Sequence, residues 1–192
     1  MSVRSMSLAL ILGGFLIPFL SATPYIQVAC HTYFVARDKE TDAFLMLKFD
    51  FTTERFVRLP LPFQSFNLLD VKVLSVVRDE KLSVLHIDDM SHVMRIWVTN
   101  KIDDDEAKTC RGGVTWSWKW ILINLNWMWK TSCFLLDEEN KVAVVCCDKF
   151  TRTMFYIVGE DIYKQVYEDT RNASPSKWPL VLTYVPSLVC LH

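Results

Sequence analysis

A hairpin-like segment occurs twice in this chain, and its repetition constrains the fold more than any other feature. In each copy an apolar run leads into a charged turn and then into a second apolar run, the pattern of two paired β-strands. Lys81 and Lys141, which hold equivalent places in the two copies, lie sixty positions apart. The copies read LSVVRDEKLSVL at 74–85 and FLLDEENKVAVV at 134–145.

Each copy is followed by a third and a fourth predicted strand. Four antiparallel strands repeated at a constant lag predict an all-β fold, a partial or open β-propeller-like (kelch-like) domain. The third strands are Met94–Asn100 and Met154–Gly159, and the fourth lie around Trp116–Leu122 and Tyr163–Tyr167.

An earlier, partly degenerate copy covers Thr32 to Phe63, with strands at Thr32–Ala36 and Ala43–Asp50. Its end reads FDFTTERFVRLPLPF at 49–63, in which a polar turn precedes two prolines. Pro60 and Pro62 lack backbone donors, so we expect extended chain at a sheet edge or blade exit there. Three units are fewer than the four to eight blades of a closed propeller. We therefore expect the last strand, Leu180–Val185, to pair back with the first unit.

Several motifs in a fixed order carry a resemblance to a known family. They run FDFTTERF, LPLPF, LSVVRDEKLSVL, MRIWVTNKID, TWSW, FLLDEENKVAVV, FYIVGED and LVLTYVPSLV. From Tyr25 to the C-terminus, the chain resembles the plant F-box associated domain of type 1.

The resemblance implies a function. In that family the domain follows an F-box that docks on the adaptor of a cullin-based (SCF-type) ubiquitin ligase, and the domain holds the substrate. We expect a non-enzymatic protein-interaction module with an unknown protein substrate and, because no F-box precedes the match, without its own ligase-docking segment. The alternative is a secreted or endomembrane binding protein, lectin-like, on the same β-scaffold.

The first 24 residues differ from the rest, so we divide the chain into a hydrophobic N-terminal segment, 1–24, and a β-domain, 25–192. Arg4 precedes an apolar run, Leu8 to Leu20, with the length of a signal-peptide core, and we predict a short hydrophobic helix there. Leu20 occupies a place where a cleavage site before Ala22 needs a small residue. We predict the cytoplasm or nucleus, with the secretory pathway as the alternative and membrane contact only if the segment is a retained anchor.

Alternating tryptophans are the candidate partner-binding residues. In a strand, Trp116, Trp118 and Trp120 share one face, and Trp127 and Trp129 repeat that spacing. Such rings either pack between blades, anchor a partner protein, or stack on sugars in a lectin-like module. Binding loops form a second set of candidates: Asp88–Val93, Asp103–Gly113 and Asn172–Lys177.

Signals for other functions are weak. The net charge of −1 gives no nucleic-acid footprint. Phosphate-binding, nucleophile-elbow and HExxH motifs are absent from the sequence, so we predict neither an enzyme nor a cofactor. His86, Asp88, Asp89 and His92 have metal-ligand chemistry, but such residues between strands favour a turn, and we predict no metal. The six cysteines show no zinc spacing, and we expect most to be buried thiols.

Overall fold

Three antiparallel sheets follow one another along the chain. The structure is a computed structural model that describes the backbone of residues 9–12, 15–18, 25–28, 31–77, 81–100, 116–122, 131–149 and 152–169, and their side chains except at 9–28, 118–122 and 149. Every regular element among these residues is a strand, and we call the sheets blades 1, 2 and 3 in chain order. The predicted all-β, propeller-like fold is confirmed.

Blade 1 is built around β4. Strand β3 pairs with the first half of β4 and β2 with its end, while β5 and β6 continue the sheet on the other side. The strands are β1 (Ala9–Leu12), β2 (Phe15–Pro18), β3 (Tyr25–Val28), β4 (His31–Asp38), β5 (Phe44–Asp50) and β6 (Arg55–Leu59).

The N-terminal helix prediction is wrong at the described residues. Ala9–Leu12 and Phe15–Pro18 form an antiparallel pair, and Phe15 and Leu16 pair onward with Asp38 and Arg37. The physical reason is that the neighbouring strands supply backbone partners to an apolar segment in which Pro18 disfavours helix. This segment therefore extends the sheet of blade 1.

Blades 2 and 3 confirm the repeat. Each is a four-stranded meander in which consecutive strands pair. Blade 2 contains β7 (Val71–Val77), β8 (Lys81–Ile87), β9 (Met94–Thr99) and β10 (Trp116–Leu122), and blade 3 contains β11 (Thr131–Asp137), β12 (Val142–Lys149), β13 (Arg152–Gly159) and β14 (Tyr163–Asp169).

Blade 2 is buried on both faces. Along β8, Leu82 and Val84 join a cluster with Tyr33 and Met46 of blade 1. The next residue, Leu85, packs in a second cluster with Phe134 and other residues of blade 3. This two-residue alternation places one core on each side of the blade. The first strands β7 and β11 contact each other, as do β3 and β7, which is the radial arrangement of propeller blades.

Four hairpin turns share one design. An aspartate begins each turn and its carboxylate accepts a backbone N–H two or three residues later, as Asp137 does from Glu139 and Asn140 at 3.0 and 3.1 Å. The residue four positions after the aspartate has a positive φ, 53° at Lys141. The pairs are Asp38/Asp42, Asp50/Glu54, Asp88/His92 and Asp137/Lys141.

Strand β6, which the sequence pattern did not predict, ends directly before Pro60. Arg55–Leu59 pairs with β5 as β6 and Pro60 follows directly, so the strand lies before the prolines and does not include them. Pro60 lies where a backbone donor is no longer needed for the ladder. The proposed closing strand, Leu180–Val185, lies outside the described residues.

Three cysteines of blade 3 confirm the buried-thiol prediction for that part of the chain. Cys133, Cys146 and Cys147 are buried and not joined in disulfides. Cys147 belongs to the core between blades 2 and 3. Cys146 pairs in register with Cys133, and the hydrogen bond between the two thiols and burial raise the pKa of Cys146. Such thiols pack as small apolar side chains.

Candidate interaction surface

Two loops meet at one end of blades 1 and 2, and Asp70 joins them. One is the connector 60–70 between β6 and β7, and the other is the loop 88–93 between β8 and β9. Asp70 Oδ2 accepts hydrogen bonds from Ser65 Oγ at 2.7 Å and His86 Nε2 at 3.1 Å. Asp70 Oδ1 accepts the backbone N–H of Asp89 at 3.1 Å. One carboxylate thus fixes the positions of both loops.

Burial and hydrogen bonding act in opposite directions on this carboxyl group. Burial raises the pKa of Asp70, but the hydrogen bonds from Ser65, His86 and the Asp89 amide outweigh it, and the pKa lies below its usual value. A carboxylate with several donors is stabilised in its charged form. Asp70 is therefore an anion that acts as a structural acceptor.

Lys72 fixes the connector 60–70 through hydrogen bonds from its ammonium group. Its Nζ donates to the carbonyls of Asn67 at 2.7 Å and Asp70 at 3.1 Å, and lies 3.8 Å from the centre of the Phe44 ring. Burial lowers the pKa of Lys72 to about 8, although the Asp70 charge acts in the opposite direction. The amide of Phe44 donates to the carbonyl of Ser65 at 3.1 Å, which ties the connector to the start of β5.

His86 also supports the connector 60–70, through Asp70 and Phe63. The residue is 4 % exposed, and its ring stacks on Phe63 at 4.1 Å between centroids with an interplanar angle of 14°. Burial lowers the pKa of His86, while the hydrogen bond to Asp70 raises it. The net shift favours the neutral ring, whose Nε2 then carries the proton donated to Asp70. Nδ1 is buried and has no hydrogen-bond partner among the described residues.

Three of the four residues considered as metal ligands have separate structural roles. His86 bonds to Asp70, and Asp88 Oδ1 accepts the amide of Ser91 at 2.6 Å within the turn. His92 takes the positive φ that closes that turn, at 55°. In the part of the chain that the structure describes, no three His, Cys, Asp or Glu side chains are grouped to hold a metal ion.

Of the five tryptophans predicted to bind a partner, the structure describes the backbone of three and the side chain of Trp116. Trp116 is half-buried against the core between blades 1 and 2, and its indole Nε1 donates to the carbonyl of Pro60 at 3.1 Å. Trp118 and Trp120 lie on β10 at the register positions of Trp97 and Ile96, with a register shift between them. Trp97 and Ile96 belong to cores on opposite faces, so the even alternation is interrupted there. Trp127 and Trp129 lie outside the described residues.

Of the three loops predicted as binding sites, the structure describes one. Asp88–Val93 lies at the surface just described, whereas 103–113 and 172–177 lie outside the described residues. Sequence reasoning missed Ser65, Asp70 and Lys72, because each is common near a strand end and nothing local marks it as part of a network. The available signal was the apolar run Phe66, Leu68 and Leu69 inside a loop.

Comparisons with known proteins agree on one family. The family model described as the F-box associated beta propeller domain matches residues 19–191. A putative F-box/kelch-repeat protein of Arabidopsis thaliana is 52% identical over 170 residues, which cover 83% of this chain and 41% of the relative. An F-box/kelch-repeat protein of the same plant is 49% identical over 180 residues, covering 87% of this chain and 44% of the relative.

The chain spans less than half the length of these curated relatives. No solved structure matches it. Within the described residues, no helix has the length and apolar character needed to cross a membrane.

Proposed function

Because the chain belongs to the F-box associated β-propeller family, we propose that it is the substrate-recognition module of an F-box protein and binds a protein partner without catalysis. The observation that carries this proposal is the family match over residues 19–191. The relatives are named as F-box proteins. The fold supports a binding role because a rigid β-scaffold presents loops held in place by buried hydrogen bonds.

The ligase partnership is the second part of the proposal. Recognition resides in this module, and docking on an SCF-type ubiquitin ligase is supplied by an F-box on the same or another polypeptide. Bound to the module alone, a partner would be sequestered. Joined to an F-box, the module would bring the partner to ubiquitination.

The proposed compartment is the cytoplasm or nucleus, where such ligases act. The pairing of Ala9–Leu12 and Phe15–Pro18 into the sheet of blade 1 supports this. Removal of a signal peptide after Ala22 would take both strands from the sheet. Export would therefore leave the sheet of blade 1 without two of its six strands.

A fusion assay in plant cells tests the recognition role. The chain is joined to the F-box of one of the Arabidopsis relatives, and protein abundance is compared with cells that carry the F-box alone or the chain alone. We expect a small set of proteins to fall only with the fusion and to recover with a proteasome inhibitor. If no protein falls with a well-expressed fusion that co-purifies with the ligase adaptor, the recognition role is wrong.

A further inference from the structure

Four large apolar side chains are exposed at the junction of the connector 60–70 and the loop 88–93. Met90 is 84 % exposed, Leu69 71 %, Phe66 58 % and Leu68 53 %. Scattered exposed apolar residues are ordinary, but a group on adjoining loops marks an interaction site. We call these four residues the loop patch.

Hydrogen bonds fix the backbone segments that carry the loop patch. Leu69 N–H donates to Asn67 Oδ1 at 3.0 Å, and Lys72 Nζ donates to the Asn67 carbonyl at 2.7 Å. Met90 follows Asp89, whose amide is bound by Asp70 at 3.1 Å. The backbone on both sides of the patch is therefore fixed before any partner binds, which reduces the entropy lost on binding.

The charged side chains that the two loops themselves carry, apart from histidine, are all acidic. Neither 60–70 nor 88–93 contains a lysine or an arginine. Asp88 and Asp89 lie at the surface beside Met90, and both are half-buried. Lys72 is buried and its charge is offset by Asp70, while Arg95 is half-buried on β9. Within the two loops, the charged side chains next to Met90 are thus acidic.

We propose that the loop patch docks a segment of a partner protein that carries apolar and basic side chains. The apolar side chains would cover Leu69 and Met90, and the basic ones would face Asp88 and Asp89. Methionine and aromatic residues are enriched at the centres of interfaces, and rim charges select the partner and speed its approach. This inference rests on the proposed recognition function, for which it names the binding surface.

Three synthetic peptides and three variants test the inference. The peptides are an alternating leucine–lysine sequence, its leucine–glutamate counterpart and its serine–lysine counterpart, and binding is measured by fluorescence anisotropy. The variants are Leu69→Ser/Met90→Ser in the patch, Asp89→Asn at its rim and Ile162→Ser/Val166→Ser as a control. Ile162 and Val166 are exposed apolar residues of blade 3.

We expect the leucine–lysine peptide to bind the unmodified chain and the other two to bind at least about tenfold more weakly, a difference of about 1.4 kcal/mol. Leu69→Ser/Met90→Ser should weaken binding about tenfold. Asp89→Asn should weaken it several-fold and reduce its dependence on salt. The control should bind as the unmodified chain does.

Equal binding of the glutamate peptide, undiminished binding by Leu69→Ser/Met90→Ser, or an equal loss in the control would overturn the inference. Circular dichroism shows whether each variant is folded. If Leu69→Ser/Met90→Ser unfolds, peptide binding is measured with the single replacement Met90→Ser instead, because Met90 is the most exposed of the four residues.

The F-box fusion separates this inference from the recognition function. If the fusion carrying Leu69→Ser/Met90→Ser still lowers the same proteins as the unmodified fusion, the docking surface is wrong and the recognition function stands. If the unmodified fusion lowers no protein while peptide binding depends on the patch, the recognition function is wrong and the surface serves another interaction.

Discussion

Asp70 is the residue on which the loop surface depends most. Its carboxylate accepts hydrogen bonds from Ser65, His86 and Asp89. Asp70→Asn keeps the shape but removes the charge and turns one acceptor into a donor. Bonds to a charged group contribute about 1.5–3 kcal/mol each and are not additive, so we expect a loss of about 3 kcal/mol in the free energy of unfolding, measured in urea.

Ser65→Ala is the matched control for Asp70→Asn. It removes one donor to the charged carboxylate and leaves two, so we expect a loss of about 1.5 kcal/mol. Equal stability of Asp70→Asn and the unmodified chain would show that the three hydrogen bonds do not hold the loops.

His86 makes the stability of the chain depend on pH. Burial keeps the pKa of His86 below its usual 6.5 in the folded chain, so the unfolded chain takes up the proton first as the pH falls. Stability from this residue is present above about pH 6.5 and declines below it. The groups that face His86 are Asp70, Lys72 and Asp88.

The pH dependence can be assigned by a substitution. The free energy of unfolding is measured from pH 7.5 to 5 for the unmodified chain and for His86→Gln, whose amide can still donate to Asp70. We expect the difference between the two to shift in favour of the glutamine variant below about pH 6.5. Parallel curves would mean that His86 does not titrate differently on folding.

At the scale of elements, the aspartate turns set the register of the hairpins. Asp137 accepts the amides of Glu139 and Asn140, and Lys141 takes a positive φ. Asp137→Ala removes the acceptor, and we expect thermal unfolding to show a loss of about 1 kcal/mol. Glu160→Ala, which removes an exposed carboxylate from the β13–β14 loop, should change stability by less than about 0.5 kcal/mol. An equal effect of both would contradict a role for the turn.

The strands of blades 2 and 3 could be predicted because their patterns are local. Trp116–Leu122 was predicted as a strand and is β10, and both hairpins of the repeat are present. The helix predicted near the N-terminus was wrong because an apolar run without alternation fits a helix or a strand, and only pairing with β4 decides. The Asp70 network joins residues that are distant in sequence, so periodicity carried no information about it.

At the scale of the whole molecule, blade 2 joins the other two. Leu85 is fully buried in its contact with blade 3, and Met46 of blade 1 packs with Leu82 and Val84 on the other face. Leu85→Ala should cost about 2–5 kcal/mol. Because both cores share blade 2, we expect circular dichroism and tryptophan fluorescence to report one transition, shifted equally. Separate transitions would mean that the blades unfold independently.

Our central proposal is that this chain is an intracellular recognition module whose N-terminal strands belong to its propeller blade. The measurement that tests it most directly is the mass of the N-terminal peptide of a C-terminally tagged chain in a plant cell, together with its compartment. We predict a peptide that begins at Met1 or Ser2, from a protein in the cytosol or nucleus. A peptide that begins just after Ala22, from a protein in the endomembrane system, would contradict the account.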